Sequence, residues 1–320
     1  MSHCSHNLTP APPSLGSADL NHGRESETAG GSLNRNSIKK KKKKIEEKRV
    51  LDDGRSLVDT IKLCGKLKDL HKGTNTHAEA LFKGLLHNDI YITNALISMY
   101  AKFGMFFEAK KLFNELPLRD VVTWNSLMSG YTHHGHGEEA LDCFNCMQEE
   151  GLSADAFTFS CTLKACGLVR SLEMGKVVHF EVKKRGLLEK NLVLGNALMD
   201  MYGKCGSLLD AQEVFDKLPE PDIISWNVLI SLYVQDGLNL NALDCFARMQ
   251  VGGFHPDDFT FTCILKACGN IGLLKKGEEI HSEIGIRQGD FLKKNIVLGN
   301  ALLDMYVKCG SLKKAKQVFD

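Results

Sequence analysis

The stretch VVTWNSLMSGYTHHGHGEEALDCFNCMQEEG, residues 121–151, reads as two short amphipathic helices joined by a turn. The first carries Leu127, Met128 and Tyr131, and His134–Gly137 supply the turn. The second presents Ala140, Leu141, Phe144 and Met147 three and four apart on one face, and Gly151 stands where a helix-stopping glycine is expected. Working outward, the same stretch has an echo about 102 positions on: Trp124 answers to Trp226, Leu141 of LDCF to Leu243, and Asp155 to Asp257. Cys64, Cys166 and Cys268, inside TIKLCG, TLKACG and ILKACG, keep the same interval, as do His77, His179 and His281. GNAL recurs at Gly195 and Gly299, where two extra residues around Gly289–Asp290 shift the register. A catalytic site needs one set of converging groups, whereas copying at a fixed period builds an extended surface.

A unit near 102 residues divides further. Junctions and paired apolar stripes predict units at 54–89, 90–120, 121–155, 156–191, 192–222, 223–257 and 258–295, with a partial unit at 296–320. Both helices of each pair carry an apolar strip, so an isolated pair cannot cover its own faces. Stacking pair on pair buries them, which predicts an all-α solenoid with no β structure.

Bulk properties fit this. The 43% hydrophobic and 25% charged residues are those of a core-forming chain, and a net charge of +1 gives no overall pull toward nucleic acid. The eleven cysteines are an odd number in mostly apolar helical context, which reads as reduced, buried thiols. No apolar run approaches the ~18 residues of a membrane-spanning helix. Residues 1–53 differ: rich in Ser, Asn, Gly and Pro, they are expected to be disordered, and they carry six lysines, Lys39 to Lys44. That run reads as a solvated tail or, more sharply, a nuclear import signal or phosphate-attracting arm. Asp19, Glu25 and Glu27 make the segment a poor organelle transit peptide.

The stretches LKACGLVRSLEMGKVVH, GNALMDMYGKCGSLLDAQEVFDKLPEPD and VVTWNSLMSGYTHHGHGEEALDCFNCMQEEG together resemble the pentatricopeptide repeat (PPR) family of land plants, in its long–short–classical (PLS) subclass. The resemblance spans residues 54–320, and the different pattern of tetratricopeptide repeats is absent. It implies a right-handed superhelical α-solenoid that binds single-stranded RNA in mitochondria or chloroplasts, one base per repeat, probing each base with two residues. Carried onto this chain, the pairs are Asn94 with Asp120, Asn125 with Asp155, Asn196 with Asp222, and Asn227 with Asp257. The longer motifs give Val58 with Asp89, Ser160 with Asn191 and Thr262 with Asn295; Asn300 lacks a partner before the chain stops. The family scheme assigns U over C to the Asn–Asp pairs, A to Ser160 and Thr262, and no base to Val58. An Asn amide offers both a donor and an acceptor to a pyrimidine edge, and the Asp can hold that amide in place. The resemblance also makes Tyr91, Val122, Phe157, Val193, Ile224, Phe259 and Val297 the side chains that sandwich successive bases.

Each assignment has a plainer reading. The apolar seven could be inter-repeat core, and Asn and Asp at helix starts often serve as caps. Capping alone does not explain why both members recur at a fixed separation in four units.

The subclass is chiefly associated with RNA editing and often ends in a zinc deaminase. His77-Ala-Glu79, His179-Phe-Glu181, His281-Ser-Glu283 and Cys143-Phe-Asn-Cys146 imitate parts of such a site, but the first three are products of the repeat and the last lacks a preceding Pro. His133, His134 and His136 read as a solvated turn, and Gly167 to Gly175-Lys176 has the wrong spacing for a phosphate loop. No catalytic residue, metal or cofactor is expected. The expected partners are single-stranded RNA and editing or processing factors acting in trans, with the protein itself a monomer. The alternative is a helical-repeat scaffold that grips a protein. The array stops at Asp320 in mid-motif, so a chain truncated before any E/DYW domain is the expectation.

Overall fold

The computed structural model describes residues 52, 54–86, 89–288 and 295–319. The expectations for the tail and its lysine run, and for the insertion at Gly289–Asp290, lie outside these residues, Asp52 excepted. The described residues from 54 onward form one compact unit.

Helices follow one another in pairs: α1 (54–67) with α2 (Leu70–Phe82), α3 (Ile90–Lys102) with α4 (Phe106–Glu115), and α5 (Val121–His133) with α6 (Gly137–Glu149). Next come α7 (Ala156–Val169) with α8 (Leu172–Lys184), α9 (Leu192–Lys204) with α10 (Leu208–Asp216), and α11 (Ile223–Gln235) with α12 (Asn239–Val251). The last are α13 (Asp258–Asn270) with α14 (Leu274–Gln288), and α15 (Ile296–Lys308) with α16 (Leu312–Phe319). No strand occurs among the described residues.

The first helix of each pair packs against the first helix of the next, from α3 through α5, α7, α9, α11 and α13 to α15. The second helices α6, α10 and α12 pack on their own partner and on the following first helix. The chain is thus an α-solenoid with a continuous row of first helices. These need apolar residues on most sides, and α5 buries Trp124, Leu127, Met128 and Tyr131. The second helices are one-sided: α6 buries Ala140, Phe144 and Met147 and leaves its other faces to charge. Gly151, at φ +76°, closes α6 in the left-handed region that a side chain would resist. Among the described residues no helix is long and apolar enough to cross a membrane.

Cys64, Cys166 and Cys268 lie in this core, where burial pushes the thiols of Cys166 and Cys268 up to about 12 and about 11. The ten described cysteines are all free of disulfides.

Candidate nucleic-acid interface

Every first helix from α3 onward starts at the same kind of junction. Its N-cap is Asp89, Asp120, Asp155, Asn191, Asp222, Asp257 or Asn295, and each side chain accepts a hydrogen bond from a backbone amide of the first turn. The residue two after the cap points outward. These are the seven apolar residues Tyr91, Val122, Phe157, Val193, Ile224, Phe259 and Val297, which are between 53% and 74% exposed. Inter-repeat core packing therefore does not account for them. They form a row of ledges, one per first helix.

Between the ledges lie the asparagines. Asn94, Asn125 and Asn227 sit deep, each 6% exposed, and each reaches across to the cap of the next first helix. The Nδ2 of Asn94 donates to Asp120 at 3.2 Å, that of Asn125 to Asp155 at 3.2 Å, and that of Asn227 to both Asp257 oxygens at 3.1 Å. At the α5/α7 junction these parts enclose a depression of about 350 Å³, with Asn125 and Asp155 between Val122 and Phe157 and with Lys102, Ser98, Ser126 and Ser129 on its walls. Partial burial pushes the Asp120 carboxyl up, but bonds from the Thr123 hydroxyl and amide and from Asn94 outweigh it and hold the group below its ordinary value.

Three of the pairs thus have two roles at once, since Asp120, Asp155 and Asp257 each cap one helix and tie down the Asn of the preceding unit. That double duty alone requires a fixed separation, so the recurrence does not by itself demand a ligand. The fourth pair differs: Asn196 makes no bond to Asp222, and its Oδ1 is buried without a partner. In the longer motifs nothing joins the two members. Thr262 turns its hydroxyl back to the Asp258 carbonyl at 2.7 Å, and Asn295 donates to the Asp258 carboxylate at 3.0 Å. Ser160 is half-buried with no bond to Asn191, Val58 packs on the core, and Asn300 is exposed.

Two residues escaped the sequence reading. Thr158 and Thr260, three after their caps, donate their hydroxyls to the Oδ1 of Asn125 (2.8 Å) and Asn227 (2.6 Å). The signal available was the recurring Asp-x-x-Thr pattern of a capping box, which is present at both places.

The groups that imitate a metal site do other things. His77, His179 and His281 bond through Nδ1 to the hydroxyls of Tyr100 (2.8 Å), Tyr202 (2.8 Å) and Tyr306 (2.9 Å), tying second helices to the next first helix. Burial lowers the pKa of all three. His134 is held by the Lys102 carbonyl at 3.0 Å, whereas His136 lies 3.4 Å from Glu139. Among the described residues no three His, Cys, Asp or Glu side chains converge as a metal site would need.

Family models for the PPR repeat family match residues 119–167 and 221–270, and models for the PPR repeat match 91–121, 196–222, 259–285 and 300–320. The chain belongs to the PPR family. It is 37% identical over 82% of its length to a mitochondrial pentatricopeptide repeat-containing protein of Arabidopsis thaliana, of which it covers 25%. It is 36% identical over 81% of its length to a chloroplastic one from the same plant, covering 41% of it. The chain thus spans about a quarter to two fifths of the length of these relatives. Among solved structures it resembles the pentatricopeptide repeat protein PPR10 in complex with an 18-nt psaJ RNA element, at a TM-score of 0.64 and 20% identity, over 78% of this chain and 37% of that one. At that identity the likeness concerns the fold.

Proposed function

We propose that the chain binds single-stranded RNA along the row of first helices, one base per repeat, with the motif boundaries set out above and the PLS alternation of lengths. One observation carries this reading: at α5/α7 a hydrogen-bonded Asn125–Asp155 pair lies in a depression between the exposed Val122 and Phe157. A flat base held between two apolar ledges loses water from both faces, and its edge then meets the Asn amide. Stacking on such a ledge contributes ~1–3 kcal/mol per base where the ledge is aromatic, and less at Val193 or Ile224. The PPR10 structure, solved with RNA, supports the same partner class. Under this reading the Asn–Asp sites take U over C, and the chain is a non-enzymatic recognition module. It would guide editing or other processing factors to organellar transcripts, a location that the mitochondrial and chloroplastic names of its relatives support.

Filter binding of a short U-rich RNA against a poly-A control tests the partner, and Asn227→Thr tests the site. The substitution shortens the side chain and should move preference at one RNA position from pyrimidine toward G. It also removes the bonds to Asp257 and Thr260, so a stability loss of about 1–2 kcal/mol accompanies it. Equal retention of both RNAs by the wild type would favour a protein-binding scaffold. Unfolding of the variant without altered selectivity would reduce the pair to a cap.

A further inference from the structure

The four Asn–Asp sites look alike in sequence but not in their hydrogen bonding. A carboxylate only accepts, so an Asn beside it must turn its N–H groups that way and its oxygen elsewhere. At Asn125 and Asn227 that oxygen meets a second restraint, the hydroxyl of Thr158 at 2.8 Å or of Thr260 at 2.6 Å. Both ends of the amide are then held. At Asn94 only the nitrogen end is held, by Asp120, and the oxygen is buried with no partner. At Asn196 neither end is held: its oxygen is also buried and unpartnered, and no bond reaches Asp222.

The difference tracks motif length. The Thr158 and Thr260 hydroxyls lie between their own caps, Asp155 and Asp257 (2.8 Å each), and the Asn oxygen. The next helix also offers a hydroxyl at the two looser sites, but there it meets its own cap alone, Thr123 to Asp120 at 2.7 Å and Ser225 to Asp222 at 3.0 Å. The interval from Asn to hydroxyl is shorter there, Asn94 to Thr123 and Asn196 to Ser225, than from Asn125 to Thr158 or Asn227 to Thr260.

Taking the Asn–Asp pairs as base-reading groups, as proposed above, we infer that Thr158 and Thr260 are positioning residues that set pyrimidine specificity. Uracil and cytosine exchange donor and acceptor on the edge they present, since O4 accepts where N4 donates. A free amide follows that exchange by flipping through half a turn. A flip at Asn125 would set its oxygen against the Asp155 carboxylate and break the Thr158 bond, so a locked amide cannot follow the exchange. Discrimination between U and C is therefore strict at Asn125 and Asn227, weaker at Asn94 and weakest at Asn196.

The experiment uses the full chain and a set of RNAs in which the nucleotide opposite each Asn is changed from U to C in turn. The ratio of the two Kd values at each position is the readout. The wild type should show a ratio about fivefold larger opposite Asn125 and Asn227 than opposite Asn196, as one neutral hydrogen bond allows. Thr158→Val keeps the shape and removes the hydroxyl, so the ratio opposite Asn125 alone should fall about fivefold, and Thr158→Ser should restore it. Thr123→Val removes an equivalent reciprocal cap without touching an Asn oxygen, and should leave the ratio opposite Asn94 unchanged. Equal ratios at all four wild-type positions, or no change with Thr158→Val, would overturn the lock while leaving base reading intact. Indifference of the wild type to every base at every position would overturn base reading itself. The wild-type comparison needs no variant, so misfolding of a Val substitution leaves the test standing.

Discussion

Adjacent first helices meet twice through the same pair of positions with the residues exchanged. At α3/α5 Ala101 faces Gly130, and a Cβ on Gly130 would lie 2.3 Å from the Ala101 Cβ and 3.1 Å from its backbone. At α9/α11 the corresponding residues are Gly203 and Leu232, and a Cβ on Gly203 would lie 2.1 Å from Leu232 Cδ2. Small meets small at one junction, and at the other the absence of a side chain admits a large one. Both junctions bring the two helices to a close, set approach, and the ledges Val193 and Ile224 ride on α9 and α11.

This predicts a coupled pair. Gly203→Ala gains ~1 kcal/mol of helix propensity but crowds the buried Leu232, at ~1–3 kcal/mol for overpacking, leaving a net loss of about 1 kcal/mol. Leu232→Gly loses ~2–5 kcal/mol of burial and packing and a further ~1 kcal/mol of propensity. The double variant reproduces the Ala101–Gly130 arrangement: the clash disappears, the propensity changes cancel, and the new methyl fills part of the space. It should be about 2 kcal/mol more stable than the sum of the single losses implies. A repeat array need not unfold in one step, so the quantity to follow is hydrogen exchange of the α9 and α11 amides in the four members of the cycle. Additivity within ~0.5 kcal/mol would show that the two residues do not sense each other, and the exchange argument would fail.

Two further outcomes follow from individual contacts. Burial lowers the pKa of His77, His179 and His281 below 6.5, so as pH falls through 6.5 the unfolded chain takes up protons before the folded one does. Stability should be flat above that point and decline from pH 6.5 down to the lowered folded values; urea midpoints at pH 7.5, 6.5 and 5.5 measure this, and replacing all three with Gln should flatten the decline. Trp124 donates its indole N–H to Glu150 at 3.0 Å, whereas the indole N–H of Trp226 is buried without a partner and Gly252 occupies the corresponding position. Gly252→Glu should stabilise the array by about 1 kcal/mol, and Trp226→Phe should abolish that gain; equal gains in both backgrounds would assign the effect to removal of a glycine instead.

The legibility of this molecule follows the range of the interactions. Helix pairs and their stacking were readable because each depends on residues three or four apart, written out in copies whose agreement suppressed accidents such as the His-x-Glu triplets. The outward position of Tyr91 and its six counterparts was not decidable from sequence, because an apolar residue at a helix start suits a core as well as a surface, and only the packing of the neighbouring first helix leaves it bare. The spacing of the Asn–Asp pairs is ambiguous for a related reason. Recurrence at a fixed separation suits a ligand, yet Asp120 caps its own helix and ties down the preceding Asn94, so folding alone preserves the spacing. The difference among the four sites is invisible in sequence because it depends on contacts between residues about thirty apart, where a capping hydroxyl either also reaches the neighbouring amide or meets its own cap alone. Copies that agree in sequence therefore diverge in chemistry at their junctions. In a repeat array the variation that tunes recognition can lie in the lengths between residues as much as in the residues themselves.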